Sequence, residues 1–152
     1  MKGNSLLNAL IELFERDLQK LEQEILAYQK EKDLWIVKKG IANSAGNLAL
    51  HLCGNLQHYI GSILGKSGYV RNRDQEFAIK DVKREKIIEE IQTAKDVVSQ
   101  TLSNLTHDTL TKNYPEQVLG FQVSTEYFLL HLYGHFNYHL GQINYHRRLL
   151  EN

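Results

Sequence analysis

Apolar residues recur at steps of three and four along most of this chain. In the first segment Leu6, Leu10, Leu13, Phe14, Leu18 (or Asp17 at the same turn), Leu21 and Ile25 mark one face. That period predicts an amphipathic helix from about Ser5 to Gln29, capped by Asn4 or Ser5. A second helix is expected over Ser44–Leu64, with Asn43-Ser44 as its cap signal and glycines 61, 65 and 68 weakening its end. Asp81 is placed to cap a third, Val82–Leu105, whose stripe is Ile87, Ile88, Ile91, Ala94, Val98 and Leu102. Ser124 or Thr125 begins a fourth that runs nearly to the C-terminus. Between the first two helices, Lys30–Gly40 is charged around a lone Leu34-Trp35-Ile36-Val37 patch and reads as a connector that tucks Trp35 into the core.

Four helices of about twenty to twenty-five residues predict an all-α, four-helix bundle. Its two remaining connections, Gly65–Lys80 and Thr106–Gln122, are long. Structureless loops beyond about 12–15 residues are uncommon, which makes both functional suspects. A length of 152 residues fits a single domain over 1–152. One proline and ten glycines argue against disorder and against a turn-rich β fold.

Charge removes some functions. Lys+Arg equals Asp+Glu at 18 each, so the chain has no basic footprint for nucleic acid. Near-zero net charge favours self-association. The N-terminal stretch is broken by Glu12, Glu15, Arg16 and Asp17, no apolar run reaches membrane-spanning length, and Cys53 has no intramolecular disulfide partner. Together these lead us to expect a cytoplasmic protein that engages neither membrane nor nucleic acid.

The histidines carry the candidate chemistry. His131, His135, His139 and His146 fall in one sixteen-residue stretch at steps of 4, 4 and 7. Positions four apart on a helix lie about 40° and about 6 Å from one another, so His135 and His139 can share one metal ion. Imidazole is the commonest metal ligand, and a third can come from His51, set mid-helix among Leu48, Leu50 and Leu52. Three histidines with positions left open form the catalytic pattern, whereas four closed ligands form the structural one. An H-x-x-x-H pair by itself is more often packed or solvated histidine, and that reading stays open for the whole set.

The other histidines read differently. His58 lies two turns from His51, too far for the same ion, and lines the pocket, as does His131. His146, ahead of Arg147-Arg148, suits a solvated or dipole-capping role, and His107 falls in a loop. Cys53 reads as a small buried hydrophobe. Several motifs are absent: the glutamate of H-E-x-x-H, any Glu-x-x-His pair, and a glycine-rich phosphate loop.

His51 followed by His135-x-x-x-His139-x-Gly141-Gln142 resembles the DinB/YfiT-like superfamily of metal-binding four-helix bundles. The blocks Asn43–Leu52, Gly54–Leu56 and Tyr69–Phe77 resemble one uncharacterised branch of it. The resemblance covers nearly the whole chain. It implies a nickel or zinc site on His51, His135 and His139, in a homodimer. Some members of that superfamily are thiol S-transferases using a low-molecular-weight thiol; others are isomerases or hydrolases.

An ion on three neutral imidazoles keeps its full charge and lowers the pKa of water or a thiol. The expected function is therefore a metal-dependent S-transferase or hydrolase acting on a small molecule. The alternatives are a non-catalytic metal-binding or sensing module and a metal-free structural bundle. Arg71 and Arg73 are candidates for closing over the site and reading a carboxylate, or else for ion pairs with Asp74 or Glu76. Asn47 and Asn55 flank His51 by one turn each way and can orient it. Gln142 lies one turn past His139, where with Gly141 it can serve chemistry or close helix packing.

Overall fold

A computed structural model of the chain describes residues 5–151. The cap expected at Asn4 lies outside them, as does the side chain of Ser5. Among the described residues there are six helices and no strand: α1 (Ser5–Ala27), α2 (Ala45–Leu56), α3 (Arg73–Ala78), α4 (Arg84–Asn104), α5 (His107–Thr111) and α6 (Thr125–Leu150). A π-helical stretch, Gln57–Leu64, continues α2, and a 3-10 turn, Glu31–Trp35, follows α1. No helix is long and apolar enough to cross a membrane.

The expected stripes are largely the buried faces, with Leu7 buried in addition and Leu13 only half-buried. On α1 the buried positions are Leu7, Leu10, Phe14, Leu18, Leu21 and Ile25, and on α4 Ile87, Ile91, Ala94, Val98 and Leu102. Leu6 and Ile88 are only partly buried against that core. α1 packs on α4 and α6, and α2 packs on the same two helices, so the four long helices enclose one cluster of side chains. α2 is buried nearly all round, as its run of apolar and small residues requires. Asp17 is fully buried on α1, where Arg16 and the Tyr133 hydroxyl donate to it. Those bonds hold its carboxyl below the usual range although burial works the other way.

Helix starts follow the sequence in two of three cases. Ser44 Oγ accepts from Asn47 N, and Ser124 Oγ accepts from Tyr127 N, both at 3.2 Å. Asp81 does not cap α4. It sits at φ 57, and Lys83, which precedes the helix, makes no side-chain cap bond. The acceptor is instead Glu31 Oε1, which takes the Arg84 N–H at 2.5 Å from the connector after α1. A cap supplied from a distant segment leaves no local signal.

The connector packs Trp35 against the core, as expected, but buries it only in part. Leu34 is its fully buried residue, while Trp35 is half-buried and lies flat over Gly46, where a Cβ would come within 2.8 Å of the indole. The second helix ends at Leu64, as expected, with Gly65 as its C-cap. Gly61 and Gly65 also have a packing role. They let the π-helical stretch approach α4, because a Cβ at Gly61 would stand 2.5 Å from Val97 Cγ1. Each long loop carries a short helix, α3 in one and α5 in the other.

Candidate metal centre

α2 and α6 face one another, and their contact brings His51, His135 and His139 together. One ring nitrogen from each lies within 4.8 Å of the other two. His51 is buried and the other two are half-buried. His51 Nε2 and His135 Nε2 are 3.2 Å apart. Two nitrogens bound at about 2.0–2.1 Å with a tetrahedral angle lie about 3.3–3.4 Å apart, so this pair has the spacing of two ligands on one ion.

Neighbouring groups select the tautomers. Glu76 Oε1 lies 3.1 Å from His51 Nδ1. An ionised carboxylate only accepts, so Nδ1 carries the proton and Nε2 is left with its lone pair toward the other histidines. Glu76 stays ionised because hydrogen bonds from His51 and Arg71 outweigh the upward push of burial and hold its pKa below the ordinary value. Arg71 is bidentate to it, Nε to Oε2 and Nη2 to Oε1, both 2.9 Å. Nη2 also lies 3.3 Å from His51 Nδ1, as two donors converging on the same Oε1. In the same way His139 Nδ1 donates to Gln142 Oε1 at 2.7 Å, which frees its Nε2.

His135 is the unanchored member: its Nδ1 is buried and makes no hydrogen bond among the described residues. Burial, then the nearby His139 and His51, push its pKa down to about 4. Burial likewise lowers His139. Both imidazoles are therefore neutral at physiological pH, the state in which histidine ligates metal.

α3 is what delivers Glu76. Asn47 Nδ2 donates to the carbonyls of Glu76 at 2.9 Å and Ile79 at 2.8 Å, which staples α3 to the start of α2. Phe77 lies against His51 with ring centroids 4.8 Å apart. Gly54, one turn after His51, makes room for the carboxylate, since a Cβ there would lie 2.0 Å from Glu76 Oε2.

The remaining candidates divide. Gln142 holds His139, and Gly141 next to it has open space where a Cβ would stand, so close packing does not explain that pair. Asn47 is spent on α3. Arg71 is spent on Glu76, and the exposed Arg73 lies over the Phe77 ring at 5.2 Å. Asn55 is buried. His58 is half-buried against Tyr59, and His131 is exposed and stacked on Phe128; the three-histidine cluster includes neither. His146 is not a solvated cap: its ring nitrogens bind the Tyr28 hydroxyl at 2.6 Å and the Ile36 carbonyl at 2.8 Å, tying the connector to α6. Cys53 is buried, burial pushes its thiol pKa well up, and the three-histidine cluster does not include it. The Arg71–Glu76 ion pair was among the expected alternatives, but the contact of Glu76 with His51 was not foreseen. Glu76 stands 25 positions from His51 in a short polar segment with no helical periodicity of its own.

The fold and cluster together define an all-helical protein with a three-histidine candidate metal centre. The chain belongs to the family described as "Protein of unknown function (DUF1572)", whose model matches residues 2–152. No curated protein matches it.

Proposed function

We propose that this chain is a DinB/YfiT-like four-helix bundle, one domain over 1–152, that binds a divalent metal ion through His51, His135 and His139 and uses it as an enzyme. One observation carries the reading: two helices place three imidazoles together, and a buried carboxylate at the Nδ1 of one of them orients its Nε2 toward the other two. Family membership over nearly the full chain agrees with the H-x-x-x-H-x-G-Q resemblance, although the family itself has no assigned function.

A divalent ion supplies Lewis acidity and lowers the pKa of a thiol or water that reaches it, which suits an S-transferase or a hydrolase. The chain's own residues do the rest. Glu76 and Gln142 hold two of the ligands in the ligating tautomer. Arg71 keeps Glu76 charged. The family resemblance implies nickel or zinc, and three imidazoles suit either ion. We expect a cytoplasmic homodimer acting on a small molecule, with no nucleic acid or membrane as partner; light scattering tests the dimer.

The deciding experiment is metal analysis of purified protein. Wild type should hold one ion per chain, His51→Ala and His139→Ala should lose tight binding, and Cys53→Ser should keep it. Retention of metal by both histidine variants sinks the triad. Screens for thiol conjugation and for ester or amide hydrolysis, run on the metal-loaded protein, then separate an enzyme from a metal-binding module.

A further inference from the structure

A groove of about 600 Å³ runs beside the triad, between the 38–43 connector and the C-terminal half of α6. That volume is in the range of small-molecule sites, about 300–1,000 Å³. His139 and Gln142 are among its lining residues. Its walls hold four of the large apolar side chains that the fold leaves exposed: Ile41 at 44%, Tyr138 at 67%, Tyr145 at 64% and Leu149 at 69%. Scattered apolar residues on a surface need no explanation, but a contiguous set lining a concavity marks a binding site. The charge is one-sided. Lys38 and Lys39 are exposed on the connector at its edge, and no acidic residue lines it among the described residues.

We propose that this groove binds a small amphipathic organic anion. Its apolar body lies on Ile41, Tyr138, Tyr145 and Leu149, its anionic group meets Lys38 and Lys39, and its other end abuts His139. The assignment of that last end as the reacting one rests on the metal reading above. Of the arginines expected to recognise an anion, Arg71 is committed to Glu76 and neither lines this groove, which leaves the task there to the two lysines. A second copy of the chain is the competing occupant. A two-fold contact sets the same patch against itself, which here brings four lysines into one interface with no carboxylate lining either groove. A free anion neutralises them.

The test uses the full chain, metal-free, with decanoate, decyl phosphate, decan-1-ol and decyltrimethylammonium as probes. Titration calorimetry and amide NMR should show saturable one-to-one binding of both anions, with shifts at His139, Tyr138 and Leu149. The alcohol should bind more weakly and the cation not at all. The Lys38→Ala/Lys39→Ala double variant should weaken the anions by roughly two- to thirtyfold, the sum of two exposed charge pairs, and leave the alcohol unchanged. Leu149→Glu, at an exposed position that does not support the core, should weaken them as well. Equal binding of cation and anion, or no effect of either variant, overturns the proposal. So does a dimer whose interface protects Ile41 and Leu149, or cosedimentation with phosphatidylglycerol vesicles in preference to the free anions. Zinc and nickel affinities of the same samples separate the two readings. Loss of anion binding with intact metal binding removes the groove alone, and anion binding without metal binding supports the groove and removes the triad.

Discussion

Gly54→Ala is the most informative single change. A glycine inside a helix costs about 1 kcal/mol relative to alanine, so in an unconstrained helix this substitution stabilises. Here the new Cβ would fall 2.0 Å from Glu76 Oε2 and 2.7 Å from its Cδ. The carboxylate has to move, and it is held by Arg71 at two points and by His51 at a third. Displacing it leaves Arg71, whose side chain is 9% exposed, without its counter-charge. Breaking a buried pair in this way costs about 3–5 kcal/mol. Less the helix gain of about 1 kcal/mol, the net loss is about 2–4 kcal/mol. The same displacement frees the His51 tautomer. Loss of such a supporting carboxylate typically lowers metal affinity about 10–100-fold, or about 1.4–2.7 kcal/mol. Urea unfolding of the metal-free protein and chelator competition for zinc or nickel measure the two effects separately. Glu76→Gln, which keeps an acceptor for His51 but loses the charge, should fall between wild type and Gly54→Ala in metal affinity. A Gly54→Ala protein that is more stable than wild type and binds metal normally would refute the role given to Glu76.

Two further outcomes are expected. His135 is held at about 4 and His139 below its ordinary value, so between about 6.5 and about 4 the unfolded chain binds protons that the folded one does not. Stability of the metal-free protein should therefore fall as pH drops through that window, His135→Gln should flatten the slope, and thermal melts insensitive to pH there would contradict the burial argument. Gly61→Ala puts a Cβ 2.5 Å from Val97 Cγ1 and should destabilise by up to about 2 kcal/mol, overpacking set against helix propensity, with recovery in a Val97→Ala background. An increase in melting temperature for Gly61→Ala alone would show that the π-helical stretch can back away from α4.

Much of the architecture was legible because helical burial leaves a periodic trace. The stripes on α1 and α4 run along the sequence, and Ser44 and Ser124 cap the helices they directly precede. The pair His135 and His139 was legible for the same reason, being one turn apart on one helix. Interactions between distant segments left no such trace. Glu31 reaching the start of α4, Trp35 lying on Gly46, and His146 bridging Tyr28 and Ile36 are each invisible to a local reading.

The sequence by itself determined that the chain is helical, where the long helices lie, and that three histidines stand on faces able to meet. Periodicity and capping are short-range, and they are written wherever a helix is. Only the tertiary structure decided which polar groups serve those histidines. It assigned Glu76 to His51 and Gln142 to His139, and left His135 with none. It bound Arg71 inward and placed Lys38 and Lys39 at the mouth of an apolar groove. The physical reason is that a hydrogen bond or ion pair depends on positions in space to within a few tenths of an ångström. Those positions are set by how α2, α3 and α6 pack, which no single segment encodes.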